Sequence, residues 1–189
     1  PGDAIISSDW NTYVRDNTNY LRNIIYDSAP SGATTLDWTA IPSNYRHLMA
    51  LISGRSALGG NNTDAIAVTF NADTGANYYY QTATFNNVTV STGPGTAAAN
   101  IAIAAIPAAL ATAGRAGSLA LFIPDYAGTT FHKLIDCTSC DIYSTTAASS
   151  NTQFIAGLWA NVAAITRITF TLTGTWVAGS RATLYGLYA

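Results

Sequence analysis

The chain has 189 residues, a formal net charge of −2 and only 10% charged residues, whereas a typical soluble domain carries about 25%. Because Glu is absent and Lys and Gln are scarce, a largely helical protein is excluded. Eight cations against ten anions leave no basic footprint for nucleic acid. No apolar run approaches the ~18 residues of a membrane span, and the first residues lack the pattern of a signal peptide.

The low charge has two interpretations. Neutral polar side chains (Thr, Asn, Ser and Tyr) must cover much of the surface, and such a surface suits packed assemblies and contact with sugars. The alternative is a compositional bias of the whole lineage. Composition alone does not separate these two explanations.

The first predicted element is a helix over residues 7–27. Ser7 or Ser8 caps its first turn and Asp9 favours its positive end. A heptad seam follows the 4-3 spacing of Trp10, Val14, Asn17, Leu21 and Ile24. The polar Asn17 fixes register and chain number in such a seam. One interpretation is a short oligomerising stalk; the other is an amphipathic helix that folds back on its own sheet, since helices this short are marginal alone.

The predicted helix ends at the sequence APSG, residues 29–32, where Pro30 and Gly32 break it. We therefore predict three parts. Residues 1–28 form a helical attachment or oligomerisation segment, residues 29–32 a linker, and residues 33–189 a β-sandwich domain.

From residue 33 onward the apolar period changes from 3.5 to 2. Ile168, Phe170 and Leu172, for example, alternate with polar residues. Turn signals separate ten predicted strands: 34–38, 46–55, 65–71, 78–85, 100–106, 118–124, 130–137, 153–160, 166–173 and 181–188. Short strands at this spacing predict a mostly β fold, an antiparallel β-sandwich or jelly roll, with one N-terminal α-helix.

The sequence offers little for catalysis. It has no Glu and no GxSxG elbow, and its two histidines, His47 and His132, lie inside predicted strands. We therefore expect no enzymatic activity, no catalytic residue, no metal ligand and no cofactor. The competing hypothesis, a small β hydrolase or metal enzyme, requires one histidine to converge with two aspartates in a cleft.

Cys137 and Cys140 form a Cys-x2-Cys pair. Structural zinc needs four ligands, and redox enzymes place this motif at a helix start. Neither context is present, and residues i and i+3 of a continuous strand face opposite sides. Two buried free thiols or one local disulfide remain as interpretations.

Residues 71–77 (NADTGAN) carry oxygen ligands at alternate positions and a glycine, loosely like a calcium loop. The glutamate that completes such a loop is missing. A β-turn is therefore favoured over a cation site.

Aromatic residues are the best candidates for surface binding. Tyr78, Tyr79 and Tyr80 are consecutive, so at least one faces away from the core in a strand. Trp176 lies among Thr, Gly and Val. Exposed Tyr and Trp serve as sugar platforms and as protein interfaces, whereas core packing is the alternative for each tryptophan.

Several phrases resemble a β-domain of tailed-bacteriophage virion proteins, which are tail-fibre, minor-tail or other surface components. They span most of the chain: AIISSDWNTYVRDNTNYLRNI (4–24), IPSNYRHLMALISGRS (41–56), VTFNADTGANYYY (68–80), AGLWANVAAITRITF (156–170) and TWVAGSRATLYGLYA (175–189). The family commonly has Gly where this chain has Ala72, so the backbone of that turn is in question. The Cys-x2-Cys pair is not part of the family pattern.

The resemblance implies a non-enzymatic virion protein on the particle surface, a homotrimer with an N-terminal attachment helix. Its partners would be its own copies and capsid or tail proteins, and it would act as a small tail fibre, head fibre or capsid-decoration protein. The alternative is a receptor- or glycan-binding head that contacts the host surface. The charge-free stretch 74–114 favours surfaces packed against neighbours.

Overall fold

The computed structural model describes residues 23–86, 89–144 and 150–188, and these ranges contain strands and turns but no helix. Twelve strands follow one another along the chain: β1 (Ile24–Ser28), β2 (Thr35–Trp38), β3 (His47–Gly54), β4 (Thr63–Phe70), β5 (Tyr78–Asn86), β6 (Thr89–Ala98), β7 (Ile101–Pro107), β8 (Gly117–Pro124), β9 (Lys133–Ile142), β10 (Ser150–Trp159), β11 (Ile168–Thr171) and β12 (Arg181–Leu187).

The strands form two antiparallel sheets of unequal size. An eight-stranded sheet has the order β1-β12-β3-β8-β9-β10-β5-β6, and a four-stranded sheet has the order β2-β11-β4-β7. The smaller sheet packs on one side of the larger one, with β7 against β8, β9 and β10. The prediction of a mostly β, antiparallel, sandwich-like fold is confirmed, and each of the ten predicted strands overlaps an observed one.

The core lies between the sheets and is filled from both. In β9 every second residue is buried, including Ile135 and Cys137, and β4 buries Ile66, Val68 and Phe70 in the same way. Trp38, Trp159 and Trp176 are also fully buried. Each large aromatic removes roughly 150–250 Å² from water, so this interior supports the fold without a disulfide.

The prediction that the helix continues to residue 27 is wrong, because residues 24–28 form β1. This strand pairs with β12, placing Tyr26 opposite Leu184. The Tyr26 ring stacks on Trp38 with centroids 5.9 Å apart, and its hydroxyl donates to the carbonyl of Thr39. Pairing with β12 and stacking of Tyr26 on Trp38 favour a strand here, although the spacing of the apolar residues is typical of a helix. Ile24 is therefore a strand residue and not part of a helical seam.

The rest of the proposed seam lies outside the described residues. It consists of Trp10, Val14, Asn17 and Leu21, and the helix there stays a prediction. The boundary at residue 28 moves, because β1 belongs to the eight-stranded sheet. Gly32, in the predicted linker, donates its N–H to the carbonyl of Trp176 at 2.8 Å, which ties this segment to the β-structure.

A second unexpected strand is β6, which contains a Ser-Thr-Gly-Pro-Gly stretch that predicts a turn. The Tyr80 ring lies so close over Gly95 that a Cβ there would stand 2.0 Å from it. The absence of a side chain at Gly95 thus allows the Tyr80 ring to pack directly against the backbone of β6. Pro94 is tolerated because β6 is the last strand of its sheet and one side of the strand has no partner to receive an N–H.

The turn after β4 has an unusual backbone. Asn71 has φ 51° and Ala72 has φ 57°, the left-handed region that strains a residue with a Cβ. Asn71 compensates through its side-chain oxygen, which accepts the backbone N–H groups of Thr166 and Arg167 at 2.8 and 3.1 Å. Ala72 has no such side-chain group.

We expect Ala72→Gly to stabilise the protein by about 1 kcal/mol, because glycine relieves the left-handed strain at that residue. Urea unfolding measures the change. The matched control is Ala65→Gly, in the interior of β4, where glycine should instead destabilise by about 0.5–1 kcal/mol. Equal effects of the two substitutions would contradict this account of the turn.

Candidate interaction face

The eight-stranded sheet has one side that the smaller sheet leaves open to solvent. We call it the outer face. Strand alternation and register place on it side chains from the six central strands. They are Arg181, Thr183 and Tyr185 of β12; Met49, Leu51 and Ser53 of β3; Ser118, Ala120 and Phe122 of β8; Leu134, Asp136, Thr138 and Cys140 of β9; Phe154, Ala156 and Leu158 of β10; and Tyr79, Gln81, Ala83 and Phe85 of β5.

The outer face is markedly apolar for a surface. Leu134 is 57% exposed, Phe154 51% and Phe85 45%, and Leu51 is also exposed. Phe85 and Phe154 pack edge to face with ring centroids 5.9 Å apart. Scattered exposed apolar residues are ordinary, but several on one sheet face, two of them in ring contact, are typical of an interaction site.

Three shallow depressions run across the outer face. The largest, about 520 Å³, is lined by Leu51, Ala120, Cys140, Arg181 and Tyr185 among others. A second, about 300 Å³, lies between Asp136 and Phe154, and a third, about 360 Å³, lies beside Tyr79 and Leu158. The surface is therefore uneven enough to accept protruding side chains from a partner.

The tyrosine triplet divides between core and surface. Tyr78 is fully buried; its hydroxyl accepts the N–H of Phe70 and donates to the carbonyl of Asp73, both at 3.0 Å. Burial raises the pKa of Tyr78 to about 12. Tyr80 is half-buried over Gly95, whereas Tyr79 is 39% exposed on the outer face. Of the three tyrosines, only Tyr79 is placed to contact a partner.

The prediction of Trp176 as a surface-binding residue is wrong, since it is only 1% exposed. Its indole ring packs so closely on Gly54 that a Cβ there would stand 2.8 Å from the ring. Within the described residues its Nε1–H has no hydrogen-bond partner. A large apolar ring gains more from the core than its single N–H loses.

Cys137 and Cys140 are not joined by a disulfide; both thiols are free, Cys137 buried and Cys140 exposed. They lie on the continuous strand β9, whose alternation sends positions three apart to opposite sides. The Sγ of Cys137 lies 3.2 Å from the carbonyl of Ile103, and burial raises its pKa to about 12. Cys140 opens into the largest depression of the outer face.

We expect a maleimide to modify the native protein only at Cys140 near neutral pH, because the Cys137 thiol is buried and protonated. Mass spectrometry should show one adduct in the native state and two after denaturation. A Cys140→Ser variant should show none until it is unfolded. Modification of Cys137 in the native state would contradict this placement.

The 71–77 loop is a closed turn. The carboxylate of Asp73 accepts the Trp159 Nε1–H at 2.7 Å, the Gly75 N–H at 2.8 Å and the Asn77 amide at 2.9 Å. These donors, that of Trp159 foremost, lower the pKa of Asp73. Because its oxygens already face N–H groups, Asp73 anchors β10 to the turn, as the β-turn interpretation predicts.

The histidines do not assemble a catalytic or metal centre within the described residues, where no three His, Cys, Asp or Glu side chains converge. His47 Nδ1 accepts the N–H of Asp125 at 3.1 Å, and its ring lies 5.5 Å from that of Phe122. His132 is exposed before β9. The convergence that the hydrolase hypothesis requires is not found there.

Several charged groups serve the fold instead. The Arg55 guanidinium donates to four carbonyls of the loop after β7, those of Ala108, Ala111, Thr112 and Arg115. The buried Lys133 ammonium donates to the carbonyls of Gly128, Phe131 and Val162. The buried carboxylate of Asp64 accepts the Ser56 hydroxyl at 2.7 Å and the Gly174 N–H at 2.9 Å.

Asp141 is a buried acid whose hydrogen bonds do not offset the cost of burying its charge. Its carboxylate receives the amide of Asn151 at 3.4 Å, and burial raises its pKa from 3.8 to about 6. The folded state therefore binds this proton more tightly than the unfolded state. This contribution favours folding at low pH and is lost as the pH rises from about 4 through 6.

We expect Asp141→Asn to raise the free energy of unfolding at pH 7 by about 2–3 kcal/mol, since 1.36 kcal/mol corresponds to each pKa unit, and to leave it unchanged near pH 3.5. Urea titrations of both proteins across this range measure the difference. A gap independent of pH would contradict the raised pKa.

Leu134, Phe154 and Phe85, three of the most exposed residues of the outer face, were not among the predicted site residues. Their signal was nevertheless present. In 153–160, for instance, apolar residues occupy both alternating sets, so one set must face outward. Which set faces solvent depends on which side the smaller sheet covers, and that is set by tertiary packing.

No helix in the described ranges has the length and hydropathy to cross a bilayer. No family model matches the chain, and no curated protein matches it. Among solved structures, a mutant of the alginate lyase Aly36B in complex with an alginate trisaccharide aligns over 87% of this chain and 80% of that chain, with 10% sequence identity and a TM-score of 0.31. A score this low carries no conclusion about fold family or function.

Proposed function

We propose that the protein is a non-enzymatic structural component of a bacteriophage virion, a small fibre or capsid-decoration protein on the particle surface. In this proposal the outer face is the surface that packs against a neighbouring protein. The observation that carries it is the exposure of Leu134, Phe154 and Phe85 on one continuous sheet face. The phrases that resemble phage virion proteins supply the context.

The distribution of charge supports an assembly role. On the six central strands of the outer face, Arg181 and Asp136 are the charged residues, and β10 and β5 contribute none. Depletion of charge with exposed aromatic residues is the compositional signature of an interface centre. A free surface gains nothing from this composition, which promotes association.

A glycan-binding head is the second candidate, and the placement of the aromatic residues favours it less. Trp38, Trp159 and Trp176 are buried, so none of them provides a stacking platform. Tyr79 is exposed beside a depression of about 360 Å³, and a sugar would stack there. The remaining seam residues, Trp10, Val14, Asn17 and Leu21, lie outside the described residues, and a trimer formed through them remains part of the proposal.

We expect the paired substitution Leu134→Asp and Phe154→Asp to reduce incorporation into particles at least tenfold, in a phage that encodes the chain, because it places carboxylates on the apolar outer face. Incorporation is measured by quantitative mass spectrometry of purified virions. Thr171→Asp is the matched control, since Thr171 is exposed on the four-stranded sheet.

Normal incorporation of the paired variant, with the control also incorporated, would overturn the role of the outer face. Absence of the wild-type protein from virions would overturn the virion assignment itself. A Tyr79→Ala variant that is incorporated normally but loses adsorption to host cells would favour the glycan-binding head.

A further inference from the structure

We infer that the outer face binds the outer face of a second copy of this chain. The two copies are related by a two-fold axis that lies in the plane of the contact and passes between Leu51 and Ala120. The inference rests on the proposed function, because it names the neighbour that the same face receives. The positions of the charges on the face, the symmetry of their arrangement and the available area support this inference.

Arg181 and Asp136 are the charged residues of the six central strands on the outer face, and both lack partners among the described residues. Within the described ranges most other charged side chains are engaged: Arg55 and Lys133 by carbonyls, Asp64 and Asp73 by donors, Asp37 by Arg167, and Asp125 by Arg46. Arg181 and Asp136 have no hydrogen bond or ion pair with any described residue. Two unpaired opposite charges on an apolar face call for complementary charges on its partner.

The strand register gives their relative position. Arg181 is level with Ser53, Ser118 and Cys140 across four adjacent strands, so Cys140 lies three strand spacings away, about 14 Å. Asp136 lies four residues before Cys140 on β9, also about 14 Å. Tyr185 is level with Asp136 across the same four strands and lies four residues after Arg181 on β12. The four residues are the corners of a near square.

This square is self-complementary. Its charged corners, Arg181 and Asp136, lie on one diagonal, and its uncharged corners, Cys140 and Tyr185, lie on the other. A two-fold axis along the uncharged diagonal exchanges the charged corners. Each Arg181 then faces Asp136 of the other copy, so the contact contains two ion pairs. Isologous contacts require this kind of complementarity.

The same axis sets what lies at the centre of the contact. Leu51 and Ala120 are paired neighbours at the middle of the square, so they meet their own equivalents. Cys140 lies on the axis and faces Cys140 of the other copy. Exposed Leu51 at the centre supplies apolar burial, and the charges about 10 Å from it fix the orientation.

The area is sufficient for a stable pair. With this axis the strands of the two copies cross at about a right angle, so the overlap is limited in both directions to about one strand length. Seven residues of about 3.4 Å each give an overlap of roughly 600 Å², within the range of roughly 600–1,000 Å² per partner of standard interfaces. A small anionic ligand held by Arg181 would cover only the largest depression, whereas a second copy would also cover Phe122 and pair with Asp136, so a second copy accounts for more of the face.

Charge reversal tests the pairing on the purified full chain by sedimentation equilibrium. The wild-type protein should associate in even numbers: two copies, or six where the N-terminal seam also joins three. Arg181→Asp and Asp136→Arg alone should each weaken the face contact at least tenfold, whereas the double reversal should restore it. Thr171→Asp, on the other sheet, should have no effect.

Crosslinking tests the position of the axis. A short bismaleimide should join two wild-type chains through Cys140, and the product should be lost in Cys140→Ser and strongly reduced in Arg181→Asp. Thermal melts of every variant confirm that the fold is retained, since both charged side chains are exposed.

The inference would be overturned if the wild-type protein were a monomer or a trimer. It would also be overturned if an assembly with an even number of copies were unaffected by a single charge reversal. Failure of the double reversal to restore association, or absence of a Cys140 crosslink in an even assembly, would also overturn it. Saturable binding of a small carboxylate at Arg181 to a monomer would assign the depression to a ligand instead. These outcomes are read in solution, so they are independent of whether the protein is found in virions.

Discussion

The structure depends on one imbalance: four strands cover a sheet of eight. The smaller sheet fills the core from one side, with β7 lying against β8, β9 and β10, and this buries the alternating residues Ile135, Cys137 and Ile155. The opposite residues of the same strands stay in solvent. Because many of these are also apolar, the hydrophobic effect that closes the core on one side leaves an apolar surface on the other.

The scarcity of charge follows the same division. Most of the charged side chains in the described part of the chain hold the fold together: Arg55 gathers the loop after β7, Lys133 and Asp64 satisfy buried polar groups, and Asp73 joins a turn to Trp159. Little charge is left for the outer face. A surface with little charge is thus compatible with a specific contact, provided that its few charges, here Arg181 and Asp136, lie opposite complementary charges of the partner.

Strand alternation made the fold readable from the sequence, and the ten predicted strands overlap observed ones. The wrong predictions concern residues whose structure depends on tertiary contacts. Residues 24–28 form β1 because they pair with β12 and because Tyr26 stacks on Trp38. Trp176 is buried because the absence of a side chain at Gly54 leaves space for its ring. The candidate site was less predictable. Exposed Phe154 and Leu134 are apparent only once it is known which side of each strand the smaller sheet covers.

The central claim is that the outer face is buried in the assembled protein, and oxidative footprinting of side chains tests it most directly. Oxidation of Met49, Phe122 and Tyr185, which lie within the proposed contact, would be compared between assembled protein and protein diluted to single chains. The account predicts at least fivefold protection of these residues on assembly and none of Phe131, an exposed residue in the loop before β9. Equal oxidation in both states, with assembly verified in the same samples, would contradict it.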